Sequence, residues 1–530
     1  MINRAQLDKH LFPILATSIG LVIVFVRYRY LEIPFERDEG EYAYGAQMLL
    51  SGEQLYGNVY SLKWPGIFLV YAFIISIFGA TIWGVHFGLL VVHLLTTFVV
   101  YRLCRTYYPH LSSSLAALSF MIFMVQKEIQ GIMANSEHFV IFFLSISLLL
   151  FFRYRSKKHN GYLVWAGIFS GLAFLTKQHA IGYLLGIAFV LIFLKLHHSK
   201  NTFSQKAIRL SLYGGGVAAP FVLVLIWILL FDDFDRFWFH TFTYAREYVG
   251  LTTYEEGWFE LKKRIIENFS VNPFLWAFAT FGVFTLNFLR PSKYLQRIFY
   301  PLLIGSLMAI SLGLYFRPHY VMFLPLVLSL FLAHFYHLIT KWKSSLLALM
   351  LFVVGSLTYF IIDREYLFQW DHNWTSNRLY YGHPFREAVK VGEYLSKNSE
   401  EGDEVLVVGA EPQINFYSQR KSVTGYIYTY PFFENHPFVD QMSDEWMEEI
   451  RSNPPKYIVL MGHWITYIDR ENEIFKKIWD FSTEFIENGN YQRVGIVDIP
   501  IDDGIAVFGL EVKNREPESE NWIYVYEKQE

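Results

Sequence analysis

Residues 11–44 read "LFPILATSIGLVIVFVRYRYLEIPFERDEGEYAY", a nearly continuous apolar run followed within a few residues by four carboxylates, Glu36, Asp38, Glu39 and Glu41. A helix that crosses a bilayer core needs roughly 20 apolar residues. Runs of that kind recur near residues 82–101, 112–126, 138–152, 161–176, 180–195, 210–231, 272–289, 298–316, 320–340 and 344–363. With the first run they predict about 11 spans by the hydropathy criterion. The composition agrees: of 530 residues, 53% are hydrophobic, 19% aromatic and 18% charged, and the mean hydropathy is +0.26. That is too apolar for a soluble enzyme, and the chain reads as a mainly α, polytopic membrane protein whose first partner is the lipid bilayer.

A formal net charge of -3 gives no basic footprint for nucleic acid. The single cysteine, Cys104, excludes an internal disulfide and a cysteine-rich metal site. The polar start with Arg4 and Lys9 is like that of a signal peptide. No small-residue cleavage site follows the apolar run, so a retained anchor is expected. The segment "PGIFLVYAFIISIFG" (65–79) is short for a span and is expected to lie at the interface or to re-enter.

Orientation follows from the loops. "YRLCRT", "RYRSKKH", "KLHHSKNTFSQKAIR", "RPSKYLQR" and "TKWKSS" are basic and free of Asp and Glu, and they fall on every second loop. The positive-inside rule then makes the N-terminus cytoplasmic. The opposite set holds "ERDEGEYAY", "QKEIQGIMANSEH", "TKQH", the 232–270 segment and "YFRPHY", so polar chemistry gathers on the extracytoplasmic side.

After about Asp363 the character changes. "REAVKVGEYLSK" has helical periodicity, while "DEVLVVGA", "PKYIVLMG" and "GIAVFGLEV" read as strands separated by acidic helical stretches. Two domains are therefore expected: a membrane domain over 1–365 and an extracytoplasmic soluble α/β domain over 366–530, serving as scaffold or substrate cover.

The acidic cluster has a structural explanation in helix capping, with Asp38 as N-cap and Glu41 three residues later forming a capping box. Capping leaves the number of acids at the membrane face unexplained, since desolvation penalises carboxylates that lack partners or a task. An outward loop with Asp38, Glu39 and Glu41, followed by Lys63 and Trp64, is a candidate site.

The pattern "RDEGEYAYGAQMLLSGEQLY" followed by "KWPGIFLVYAFIISIFG" resembles the first external loop of GT-C glycosyltransferases of the protein O-mannosyltransferase type, which includes lipid A aminoarabinose transferases (bacterial glycosyltransferase family 39-like). "MANSEHFVIFFLSISLLLFF" is similar to the second external loop and its span. "GLAFLTKQHAIGYLLGIAFVLIFLK" and "YFRPHYVMFLPLVLSL" resemble later spans, and "VVGAEPQINFYSQRKSVTGY" resembles the external domain of bacterial members. The resemblance covers nearly the whole chain in order, and it implies a GT-C fold.

It also implies an inverting transfer of a sugar from a polyprenyl-phosphate carrier to an acceptor (glycan, lipid or protein) outside the cytoplasm. An attacking hydroxyl must lose its proton, which requires a carboxylate within reach. Asp38 matches the family's catalytic Asp; Glu39 would hold acceptor or base, and Glu41 is a further substrate-binding candidate. A leaving phosphate gains negative charge, which fixed cations stabilise. Lys177, Arg317 and His319 at outward span ends, with Lys63 in the first loop, are assigned to it. Glu137 and Tyr320 complete the substrate-binding set. The alternatives are helix-end snorkelling for Lys177, interface anchoring for Arg317 and helix capping for Glu137.

No cofactor is implied and no metal ligand set is assigned; a divalent ion held by Asp and Glu, as the resemblance to some GT-C enzymes allows, is compatible with the carboxylates but not indicated. The chain lacks a WWDYG-like signature, which disfavours transfer of a whole glycan to Asn. An O-antigen ligase or polymerase would leave Asp38 and Glu39 idle. A transporter or flippase predicts charges in mid-span and a two-fold repeat, and neither pattern is evident in the sequence.

Overall fold

A computed structural model describes residues 12–193, 202–288, 292–342, 344–380, 383–462, 473–499, 505–509, 512 and 515–529. Arg4, Lys9 and parts of the basic loops near 194–201, 289–291 and 343 lie outside them. Fourteen of the helices carry the first part of the chain: α1 (Phe12–Arg29), α2 (Arg37–Leu50), α3 (Pro65–Phe78), α4 (Ile82–Cys104), α5 (His110–Phe123), α6 (Ser136–Lys157), α7 (Asn160–Thr176), α8 (Ile181–Phe193), α9 (Phe203–Phe231), α10 (Tyr254–Val271), α11 (Pro273–Phe288), α12 (Lys293–Ser311), α13 (Phe323–Trp342) and α14 (Ser345–Ile362).

Among the described residues, five helical segments are long and apolar enough to cross a membrane: α4, α6, α9, Pro318–Trp342 and α14. A sixth span results if α10 and α11, bent by 115° at their junction, are counted as one. The chain is a multi-pass membrane protein, but the count of about 11 is not reproduced. The reason lies in helix ends that hydropathy does not see. The apolar runs of α5 and α7 end at caps and turns after 14 and 17 residues. Helix α3 has 14 residues, below span length.

Small residues allow close helix crossings. A Cβ on Gly167 of α7 would run into the backbone of Tyr213 and Gly216 on α9, and one on Gly216 would meet the Val164 carbonyl. Backbones approach this closely in membranes because packing, and not water exclusion, drives helix association.

The C-terminal part adds α15 (Phe385–Asn398), α16 (Val439–Ser452), α17 (Glu473–Asn488) and a six-stranded sheet of order β2-β1-β3-β6-β4-β5. Its strands are β1 (Glu404–Val408), β2 (Lys421–Ser422), β3 (Tyr457–Met461), β4 (Tyr491–Asp498), β5 (Ile505–Phe508) and β6 (Trp522–Lys528). β2, β1 and β3 run parallel, whereas β3-β6-β4-β5 is antiparallel. The three expected strands correspond to β1, β3 and β5. β4 and β6 escaped the sequence reading because only part of each is buried, so their polar and aromatic residues mask the apolar signal.

Two contacts seat α2 between the membrane helices and the C-terminal part. A Cβ on Gly40 would stand 2.7 Å from the Gln413 backbone nitrogen, and one on Gly45 would clash with the Phe68 ring of α3. Around this seat Arg37 donates through Nε to the Ala410 carbonyl at 2.6 Å, the Ser422 N–H donates to the Tyr44 hydroxyl at 2.8 Å, and the Tyr60 N–H donates to the Gly425 carbonyl at 2.8 Å.

Candidate active site

The N-terminus of α2 fixes the acidic cluster, and its cap differs from the expected one. Glu36, not Asp38, is the N-cap: its side chain accepts from the Glu39 N–H at 3.2 Å, while Glu39 Oε2 accepts from the Glu36 N–H at 3.1 Å. This reciprocal box leaves Asp38 in the first turn without a capping duty. Its Oδ1 pairs with Lys63 Nζ at 3.0 Å, and the Tyr42 hydroxyl lies 3.4 Å from Oδ2.

Asp38 and Lys63 face a cavity of about 720 Å³. Lys177, Arg317, His319 and Tyr320 line the same space, brought from the segment before α8 and from the turn that leads into α13. Six of the nine residues named from the sequence therefore converge. Lys177 Nζ sits 4.8 Å above the Tyr320 ring and pairs with Glu137 Oε1 at 2.5 Å. His319 Nδ1 lies 2.9 Å from Gln130 Oε1, its Nε2 is 3.9 Å from Glu137, and Arg317 packs over Tyr315 at 5.1 Å.

The other three stand off the cavity wall. Glu39 is fully buried and faces away; besides the Glu36 N–H, its carboxylate takes the Ala134 N–H and His86 Nε2, the latter at 2.9 Å. Glu41 is buried against Ser61, whose hydroxyl donates to it. Glu137 lies fully buried behind Lys177 and His319. Glu39, Glu41 and Glu137, expected to touch substrate, do not line the cavity, and each carboxylate engages neighbouring protein groups.

Electrostatics divides the acids. Burial alone would push the Asp38 carboxyl up, but the Lys63 ammonium, with His319 and Lys177 behind it, holds it below the usual carboxylate range. Burial, reinforced by Asp38 and Glu39, pushes Glu36 well above that range. Glu41 is raised by burial to about 7 against the pull of Lys63. Neighbouring carboxylates with such divergent environments suit different protonic roles.

Several wall residues had no distinguishing sequence signal. Glu36 was one acid among four. Tyr248 and Arg246 come from the segment between α9 and α10, Gln130 from the turn before α6, and Tyr430 and Glu434 from the C-terminal part. Burial raises Glu434 to about 7, and it accepts from the Tyr244 hydroxyl at 2.9 Å. His179 also lines the wall, its two ring nitrogens buried without a hydrogen-bond partner among the described residues. His240 stacks on Tyr60 at 5.2 Å. Among the described residues, no group of three His, Cys, Asp or Glu side chains is arranged to hold a metal ion.

Residues 63–227 match the dolichyl-phosphate-mannose-protein mannosyltransferase family, a stretch that contains Lys63, Glu137 and Lys177 but not Asp38, Arg317 or His319. No curated protein sequence matches the chain. Among solved structures, the chain is similar to ArnT from Cupriavidus metallidurans bound to undecaprenyl phosphate, with TM-score 0.56 and 13% identity over 86% of this chain and 93% of that one. It is also similar to the oligosaccharyltransferase AglB from Archaeoglobus fulgidus in complex with an inhibitory peptide and a dolichol-phosphate, with TM-score 0.55 and 12% identity over 96% of this chain and 75% of that one. At this identity the likeness is one of fold, shared with ArnT and AglB.

Proposed function

We propose that this chain is an inverting glycosyltransferase of the cell membrane that moves a sugar from a polyprenyl-phosphate carrier to an acceptor on the extracytoplasmic face. One observation carries the reading: a carboxylate, Asp38, shares a cavity of about 720 Å³ with Lys63, Lys177, Arg317 and His319. An acid beside several cations is what a reaction needs when a proton must leave one reactant and negative charge must collect on the other. The match to a dolichyl-phosphate-mannose-dependent family and the lipid phosphates bound by both structural relatives favour a lipid-phosphate donor. The basic loops on alternate connections favour this face as the outer one.

In the proposed step the acceptor hydroxyl attacks the anomeric carbon from the side opposite the phosphate. Its proton passes to an Asp38 carboxylate oxygen while the new C–O bond forms. The bond from the anomeric carbon to the phosphate oxygen breaks, and its electron pair stays on the phosphate, leaving polyprenyl phosphate with one more negative charge. Lys177, Arg317 and His319 meet that charge, and Tyr320 backs Lys177. Without substrate, Lys63 holds Asp38 ionised but weakly basic; a donor phosphate that draws Lys63 toward itself strengthens the base as the reactants assemble. Glu39, Glu41 and Glu137 act as positioning residues, tying α2, Ser61 and Lys177 in place.

The test is to incubate protein reconstituted in liposomes with a panel of polyprenyl-phosphate sugars and acceptors, and to follow free polyprenyl phosphate by mass spectrometry. Release from one donor is expected, with loss on the order of 100-fold in Asp38→Asn. Release at the wild-type rate by Asp38→Asn removes Asp38 as the base; absence of release from every donor removes the donor class.

A further inference from the structure

A second polar cleft lies at the other end of the membrane helices. Glu137 opens α6 behind the catalytic cavity, and Arg153 lies about 24 Å further along that helix at a rise of about 1.5 Å per residue. Helix α4 runs the same way: His86 reaches Glu39 near its start, and Arg102 stands a similar distance beyond. That separation is most of the thickness of a hydrocarbon core, about 30 Å. The cleft, about 450 Å³, is lined by Tyr101, Arg102, Arg105, Leu149, Phe152 and Arg153 among others, and no carboxylate lines it among the described residues.

Three exposed guanidiniums thus gather around one concavity. Arg105 is oriented by donating through Nη1 to the Tyr108 carbonyl at 2.7 Å. The neighbouring Arg155 is engaged elsewhere, 4.4 Å over the Tyr294 ring and donating to the Tyr107 hydroxyl. Scattered basic residues at a helix end need no ligand beyond the membrane surface; a cleft into which three of them converge provides bidentate donors for a phosphate. Leading up to it along α4 are Leu94, Leu95 and Phe98, exposed at 40%, 47% and 58%. Their three- and four-residue spacing to Arg102 and Arg105 puts them on one helix face. Apolar surface running into a cationic cleft at membrane depth matches a molecule with an acyl tail and an anionic head.

We propose that this cleft binds one anionic phospholipid of the surrounding bilayer, its phosphate held by Arg102, Arg105 and Arg153 and an acyl chain lying along Leu94, Leu95 and Phe98. It is separate from the catalytic cavity and does not depend on the reaction proposed there.

The test uses full-length protein in nanodiscs of phosphatidylcholine with a minor fraction of phosphatidylglycerol. Photoactivatable phosphatidylglycerol is expected to label peptides around 94–106 and 149–156 of the wild type, and photoactivatable phosphatidylcholine to label them far less. Native mass spectrometry after detergent extraction is expected to find retained phosphatidylglycerol, falling at least about tenfold in Arg102→Gln/Arg105→Gln/Arg153→Gln. Lys157→Gln/Lys158→Gln, at the same helix end but outside the cleft, is expected to retain it. Equal labelling by both lipids, or equal retention by the triple variant, overturns the proposal. So does displacement by inorganic phosphate alone, which marks a plain anion site, or stronger retention of undecaprenyl phosphate, which marks a carrier site. The labelling comparison needs no variant and stands even where the triple substitution fails to fold.

Discussion

Lys177 and Glu137 form a buried ion pair that bears on stability and on the proposed transfer alike. Glu137 is fully buried and Lys177 is 11% exposed in its side chain, so removing the lysine leaves a carboxylate in a dry site. Losing one partner of a buried pair costs about 3–5 kcal/mol, much of it the penalty of the orphaned charge. Lys177→Met is therefore expected to lower the unfolding midpoint strongly, and Lys177→Met/Glu137→Gln to recover most of that loss. Transfer is expected to stay low in the double variant, because the cation facing the phosphate is still missing. Recovery of both would make the pair purely structural. Glu41 offers a pH signature. Its carboxyl, ordinarily near 4.5, is raised to about 7 by burial, so the fold binds its proton more tightly than the unfolded chain does. Its contribution is fully present below about pH 4.5 and is lost as pH rises through about 7. Thermal midpoints of Glu41→Gln relative to wild type are expected to climb across that window and then level off; a flat difference would mean that Glu41 titrates normally.

At the level of the element, α2 carries the argument. A Cβ on Gly40 would meet backbone as well as side chain of Gln413, so trimming Gln413 cannot relieve it. Overpacking of this kind costs about 1–3 kcal/mol. Gly40→Ala is expected to destabilise by that amount in thermal unfolding and to lower transfer by shifting Asp38, with no rescue from Gln413→Ala. Wild-type transfer in Gly40→Ala would mean that α2 tolerates displacement. The existence of this helix and its acidic first turn were legible in "ERDEGEYAY", but its cap was not. Glu36 precedes Arg37 and reads as part of the loop, and only three-dimensional pairing with Glu39 shows that it closes the box and frees Asp38. The same limit explains Glu39, Glu41 and Glu137. Sequence shows an acid near a membrane face, whereas whether its oxygens are spent on Ala134, Ser61 or Lys177 depends on segments distant along the chain.

At the scale of the whole molecule, the membrane helices and the C-terminal part share one cavity. Tyr380, His383, Phe385, Tyr430 and Glu434 close a wall whose other members come from the first loop, the segments before α6 and α8, and the approach to α13. Alternating basic loops and the clustering of polar residues on the opposite set of loops made that convergence legible in outline, because span-end residues on one face must meet if the helices bundle. Tyr430 and Glu434 were not legible, since nothing local marks a tyrosine or a glutamate as facing a membrane cavity. A wall borrowed from the C-terminal part predicts that Tyr430→Ala weakens donor retention several-fold while the membrane helices keep their stability; unchanged retention would make that part a bystander.

The most direct measurement is the single-turnover rate of wild type and Asp38→Asn loaded with the same polyprenyl-phosphate sugar in liposomes, with donor binding measured in parallel. Comparable donor binding with turnover slowed on the order of 100-fold or more is the predicted result. Equal turnover in the two proteins would contradict the assignment of Asp38 as the base and the reading of the cavity that rests on it.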